Sequence, residues 1–316
     1  MTLTVVMYHY VRRMVDGCRP RLNVLETGDF IGQLDYLERN YRIIGADRLV
    51  SALRKELPLP ERAALLTFDD GYREHAETVM PVLRDRGLSA VFFPAVQAVS
   101  ERKLLDVNKI HYVLGSIDRP DPVVEMIEAA VSANTGRPDV LDLEVYRQRH
   151  RVANHLDSAE VCFVKQMLQY GLPADLRPGL VDTVFRQVIG RAEANVADEL
   201  YMTEAQARDL VAAGMTVGNH GYSHEWMHVI APEAQRREVD LGLAFMDRIG
   251  AGTSDWMMCY PYGASNESLL EILRAKGCAA GFTSRRGLAD LDGSDPLLLS
   301  RLDTNDLPKT VNQLRS

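Results

Sequence analysis

Four short, widely separated patches hold the residues of this chain best suited to chemistry: Met7-Tyr8-His9, Thr67-Phe68-Asp69-Asp70-Gly71, His220-Gly221-Tyr222-Ser223-His224 and Tyr260-Pro261-Tyr262-Gly263. They supply two adjacent carboxylates, two histidines four positions apart, a third histidine and a rigid backbone turn. That inventory suits hydrolysis of an amide or ester by a metal-bound water. Neighbouring side chains at a strand end point in different directions, so one of Asp69 and Asp70 can bind a metal while the other faces substrate. Histidines spaced i,i+4 can meet one ion from a single turn. In the last patch proline fixes φ, Gly263 lets the chain reverse, and the Tyr262 N–H can then face a developing oxyanion. Each patch also has a plainer reading. The aspartates suit a helix cap ahead of Glu74, the histidines suit bonds to backbone or water, and Tyr260–Gly263 suits a structural turn.

These patches act together only if the fold gathers them. Apolar runs predict strands at Leu3–Tyr8, Arg42–Ile44, Ala63–Phe68 and Ala90–Pro94. Between them, helical spacing marks Asp29–Asn40, with Asp29 as cap and Phe30, Leu34 and Leu37 on one face, then Ala46–Leu53 and Glu74–Arg86, stopped by Gly87. From about 99 to 198 the chain reads as helix, broken by turns near Asp118–Pro122, Thr135–Pro138 and Gly171–Pro173, which predicts a helical insertion. The alternation resumes with helices at Thr203–Ala213, Pro232–Ile249 and Asn266–Lys276. Strands are expected at Met215–Val217, Trp256–Tyr260, Ala279–Thr283 and Leu297–Leu302. Alternating strands and helices imply parallel β/α units, where reactive groups gather at the strand-to-loop handover. All four patches occupy such handovers.

Composition narrows the class. With 316 residues, 46% hydrophobic and 25% charged, the chain matches an ordinary globular protein of one large domain or two smaller ones. A net charge of -8 argues against a nucleic-acid polymer as partner. Cys18, Cys162, Cys259 and Cys278 have no metal-type or redox-type spacing and read as free thiols of a reducing compartment. No apolar run reaches the ~20 residues of a transmembrane helix, and Leu3–Met7 is too short for a signal peptide, so a cytoplasmic location is expected. Of the other histidines, His228 reads as structural or surface, with Met227 and Val229 suggesting helix packing around it; His75, His111, His150 and His155 lie in helical stretches with no partner pattern and read as ordinary surface or core residues.

The patches together resemble the polysaccharide deacetylase family, carbohydrate esterase family four. Its Thr-Phe-Asp-Asp-Gly motif stands at Thr67–Gly71, its His-Ser/Thr-x-x-His motif at His220–His224, and its Arg-x-Pro-Tyr-Gly motif at Cys259–Gly263. The resemblance covers Leu3 to about Gln97 and Glu204 to about Leu302, leaving the helical stretch outside. It implies an α/β fold, a distorted (β/α) barrel here interrupted by the insertion, as a single catalytic domain. It also implies a divalent metal, zinc or another transition metal, held by Asp70, His220 and His224, with Asp69 as the base and the Tyr262 N–H at the oxyanion. Cys259 replaces the arginine that steadies the base, and Arg301 is the candidate substitute. The family's late Leu-x-His, which supplies the general acid, is missing. Circularly permuted members carry a Tyr-His on their first strand, and by that match His9 is the proton donor.

The expected activity is removal of an N-acyl, chiefly N-acetyl, group from an amino sugar that is nucleotide-linked, lipid-linked or a small oligosaccharide. Alternatives are a deformylase or non-sugar amidase on the same metal site, or a catalytically silent carbohydrate-binding protein. The insertion could narrow the cleft or form a homo-oligomer contact.

Overall fold

The computed structural model describes residues 1–13, 20–154 and 157–308, so Cys18 and His155 lie outside the described residues. Two compact units result. One holds residues up to 13, Val24–Lys103 and the described chain from Ala197 onward; the other holds residues 20–23 and Leu104–Val196.

The first unit is built on nine strands: β1 (Thr2–Tyr8), β2 (Arg42–Ile43), β3 (Ala63–Asp70), β4 (Val91–Pro94), β5 (Thr216–Val217), β6 (Met257–Cys259), β7 (Ala280–Arg286), β8 (Ala289–Asp290) and β9 (Leu299–Asp303). The sheet order is β5-β4-β3-β1-β9-β7-β6, with β2 added beside β3 and β8 beside β1. Every pairing is parallel except β8 with β1. A single bridge, Asn219 to Met258, joins the two ends of that order and curls the sheet into a distorted (β/α) barrel. Gly218 permits this closure. A Cβ there would lie 2.4 Å from the Phe93 ring and 2.8 Å from the Met257 carbonyl.

Strand periodicity sorts the side chains into two layers. Leu3, Val5, Leu65, Phe93, Met257, Cys259, Phe282 and Leu299 pack together inside the curl. Val6, Tyr8, Leu66, Phe68 and Phe92 face the opposite way, onto Phe30, Leu34 and Leu37 of the helix Thr27–Asn40 and Leu83 of the helix Met80–Asp85. Strands covered on both faces read as unbroken apolar runs, which is why β1, β3 and β4 were visible in the sequence.

Three local expectations need correcting. The helix Thr27–Asn40 is capped by Glu26, whose carboxylate accepts from the Gly28 N–H, and Asp29 sits in its first turn. Strand β3 runs on through Asp69 and Asp70, which therefore cap no helix. The expected Glu74–Arg86 helix is interrupted by a π turn, His75–Val79, just after Arg73 and Glu74, and continues as α at Met80–Asp85.

The second unit is helical: Asp106–Ser116, Asp121–Ala133, Leu143–His150, Ala159–Gln166 and Arg177–Ile189. Its start at Leu104 is later than the expected 99, because the short helix Val96–Ser100 belongs to the strand-bearing unit. Ile110, Val113, Ile127, Phe163 and Phe185 form buried apolar positions in it. Lys109, also buried, has three carboxylates around its ammonium, those of Asp106, Asp182 and Glu193 at 3.5, 2.5 and 3.1 Å. His150 is tied to Gln166 through Nδ1 at 3.0 Å.

Candidate active site

The C-terminal ends of β3, β6 and β9 and the segments after β1 and β5 bring the sequence patches together. Asp69, Asp70, His220, His224 and Arg301 are all buried there. Asp69 follows the inward alternation of Thr67, whereas Asp70 takes a left-handed backbone, φ 73°, ahead of Gly71 at φ 78°. His224 at φ 61° and Tyr262 at φ 59° share that conformation. Of the seven described non-glycine residues in this sparsely populated region, these three fall in the candidate patches, where the surrounding fold holds the backbone strain in place.

The Oδ1 atom of Asp70 lies 3.2 Å from His220 Nε2 and 3.3 Å from His224 Nε2. His220 donates its Nδ1–H to the Cys259 carbonyl at 2.8 Å. A neutral His220 therefore carries its lone pair on Nε2, aimed at a carboxylate oxygen that also only accepts. Two facing acceptors need a positive charge between them, a proton or a metal ion. Burial alone would raise the Asp70 pKa, but the two imidazoles hold it well below the ordinary carboxylate range. Burial likewise opposes charge on His220, yet the Cys259 side chain and the Asp70 carboxylate hold its pKa well above the usual value. Asp70, His220 and His224 bring their ligand atoms within 4.8 Å of one another. One oxygen and two imidazole nitrogens suit zinc or a similar ion and leave a coordination position open. The residues fit a metal.

Asp69 sits beside this group but is held differently. Arg301 donates from Nη1 to Asp69 Oδ1 at 3.0 Å and pairs through Nη2 with Oδ2 at 2.8 Å. The same guanidinium donates to Thr67 Oγ1 and to the Thr283 carbonyl. Burial would raise the Asp69 pKa, but Arg301 first, then His9 and His220, outweigh it and keep the carboxylate ionised. Arg301 of β9 is thus the cation paired with Asp69, while Cys259 stands at the motif's arginine position. The Nε2 of His9 lies 3.8 Å from Asp69 Oδ2, and the His9 side chain is 40% exposed. The Tyr262 ring stacks on Trp226 at 4.1 Å and meets the His224 ring edge-on at 4.8 Å.

Sequence reasoning passed over several supporting residues. Tyr72 donates its hydroxyl to Asp70 Oδ2 at 2.6 Å. Glu238, from the helix Pro232–Arg248, accepts from the Tyr222 and Ser223 N–H groups at 2.8 and 2.9 Å and from the Ser223 hydroxyl at 2.6 Å. His75 is a buried core residue, as one of its two expected readings had it, and its ring is also bonded to the His9 carbonyl. Tyr72 stood next to Gly71 as a weak hint, but nothing in the sequence marked Glu238. Around the half-buried His228, Met227 is buried and Val229 is 63% exposed.

Glu238 carries a prediction of its own. Its carboxylate ties down the turn that places both histidines, and groups that orient ligands typically affect metal affinity 10–100-fold. Glu238→Ala is expected to weaken zinc binding about 30-fold in a competition titration, with Glu238→Gln intermediate. Wild-type affinity in a folded Glu238→Ala protein would refute this role.

A family model described as polysaccharide deacetylase matches residues 56–157 and 182–281, more than half of the chain. It takes in parts of the helical stretch that the motifs had left out, and stops short of His9 and Arg301. No curated protein matches the sequence. Among solved structures, the Streptococcus pyogenes deacetylase PplD in complex with acetate aligns over 100% of this chain and 99% of its own, at 14% identity and TM-score 0.61. IcaB from Ammonifex degensii aligns over 95% and 91%, at 18% identity and TM-score 0.55. The BpsB deacetylase domain from Bordetella bronchiseptica covers 96% of this chain and 95% of its own, at 13% identity and TM-score 0.53. At these identities the likeness is one of fold. The family match and the motifs agree on one assignment: the chain belongs to the polysaccharide deacetylase family, and its class of reaction is hydrolytic deacetylation of a carbohydrate.

Proposed function

We propose that this protein is a metal-dependent hydrolase that removes an N-acetyl group from an amino sugar. The observation that carries this reading is the juxtaposition of two differently held carboxylates. Asp70 faces two imidazole nitrogens, and Asp69, fixed by Arg301, stands beside them.

Asp70, His220 and His224 would hold the metal, zinc by the chemistry of the donor set. When bound, such an ion polarises the acyl carbonyl and makes water acidic enough to deprotonate near neutral pH. Asp69 accepts that proton through the carboxylate oxygens that Arg301 orients. The Tyr262 N–H donates to the oxygen on which negative charge develops. An amine leaves poorly as an anion, so His9 delivers a proton from Nε2 to the departing nitrogen. The products are a free amino sugar and acetate.

The substrate reading is a nucleotide-linked, lipid-linked or small-oligosaccharide amino sugar in the cytoplasm, with the helical unit as an insertion within one catalytic domain. Support for a reducing compartment comes from Cys162, Cys259 and Cys278, all unpaired. No described helix is long and apolar enough to cross a membrane. The Arg301–Asp69 pair speaks against a silent carbohydrate binder, since a binder has no need of an oriented base beside a metal triad.

The test combines elemental analysis of purified protein with acetate and formate release across free, nucleotide-linked and lipid-linked N-acyl amino sugars. About one equivalent of metal and acetate release from an amino sugar are expected. Full activity after chelation would overturn the metal assignment, and formate release alone would favour the deformylase.

A further inference from the structure

We propose that His75 is a positioning residue for His9: its ring fixes the peptide carrying His9, so that the His9 imidazole is aimed for proton donation. The inference rests on the reading of His9 as the proton donor. His75 lies in the core with no exposed surface and opens the π turn His75–Val79. Its Nε2–H donates to the His9 carbonyl at 2.7 Å. The rings of Phe68, Tyr72 and Phe92 surround it, with centroids 5.4, 5.6 and 5.9 Å away. Its Nδ1 is buried and has no hydrogen-bond partner among the described residues.

This is an expensive way to fill a core position. A buried nitrogen without a partner costs stability, and a leucine would pack among those aromatic rings without that loss. What the imidazole supplies in return is one bond, to the residue whose side chain reaches to 3.8 Å from Asp69. The π turn fits the same idea, because such local widenings of a helix concentrate at functional sites. The segment after β1 is pinned further by Tyr10 stacked on Tyr72 at 4.1 Å and by Arg12 paired to Glu74 through two bonds of 2.9 Å. Tyr72, Glu74 and His75 thus grip residues 9–12 immediately after the Asp69-Asp70-Gly71 turn. His9 keeps only its side-chain torsions, which concentrates its imidazole near the leaving group.

The test compares two substrates. An N-acetyl amino sugar needs its leaving nitrogen protonated; an aryl acetate with a good leaving group does not. Zinc-loaded His75→Leu is expected to lose about 100-fold in kcat on the amide, in the range of general-acid effects, while the aryl ester changes by a few-fold at most. His75→Gln, whose amide nitrogen falls near the Nε2 position, is expected to restore most of the amide rate; His75→Asn, too short to reach, is not. Equal losses on both substrates in folded His75→Leu would make His75 merely structural and overturn the proposal. If the leucine variant does not fold, equal amide rates for the Gln and Asn variants would overturn it. His9→Ala keeps the two questions apart: an equal loss on both substrates there removes His9 as the donor, whatever His75 does.

Discussion

Asp69→Asn is expected to keep a full equivalent of metal and to lower kcat about 1,000-fold, within the span of general-base effects. The amide has the shape of the carboxylate but cannot take a proton, and Asp69 is not among the three groups that face one another around Asp70. Asp70→Ala should do the opposite. It removes the oxygen that both Nε2 atoms address, leaving two buried imidazoles and no carboxylate. Metal should be lost at micromolar free zinc, and activity with it. Elemental analysis after desalting, run beside an acetate-release assay, separates the two variants. The assignment of roles fails if Asp69→Asn loses its metal, or if it keeps the metal and turns over within tenfold of wild type.

Those residues could be singled out in the sequence because they sit in contiguous motifs at strand ends. A buried parallel strand announces itself as an apolar run, and Ala63–Phe68 does so clearly. The handover positions then follow from alternation of strand and helix. What the sequence did not carry is anything set by tertiary placement. Glu238 secures the Tyr222–Ser223 turn from a helix 15 residues further on, with no local pattern to betray it. His75 looked like one more helical histidine, because a bond from its ring to a backbone carbonyl 66 positions away depends on β1 and β3 pairing side by side. The left-handed conformation of Asp70 was equally hidden, since the glycine that suggested a turn is the next residue. Arg301 falls between these cases. A missing arginine at Cys259 implied that another cation was needed, but only the fold could bring one across 232 positions.

Arg301 is where the second large effect is expected. Its guanidinium is 2% exposed and makes four bonds: to the Thr283 carbonyl at 2.9 Å, Thr67 Oγ1 at 3.1 Å, and the two Asp69 oxygens at 3.0 and 2.8 Å. Burial disfavours the charged guanidinium, but Asp69 more than compensates, so the pair stays ionised. Removing one partner of such a buried pair leaves the other charge uncompensated, typically about 3–5 kcal/mol of destabilisation. The relief available to Asp69 is to take up a proton. In wild type its pKa is depressed, so its contribution to stability is present above the unfolded carboxylate pKa and disappears as pH falls through the lower folded value. In Arg301→Met burial dominates, the Asp69 pKa moves above the ordinary carboxylate value, and the acid limb of kcat/KM should shift upward with it. Arg301→Lys keeps the charge but not the two-pronged geometry, so an intermediate limb and a reduced kcat are expected. A variant with Cys259→Arg and Arg301→Ala would restore the arginine position of the family motif; because the Cys259 sulfur lies within 4.8 Å of an Asp69 oxygen, it should recover part of the rate lost by Arg301→Ala alone. An acid limb that stays in place in Arg301→Met, measured on folded and metal-loaded protein, would mean that Asp69 is not the group whose ionisation governs turnover.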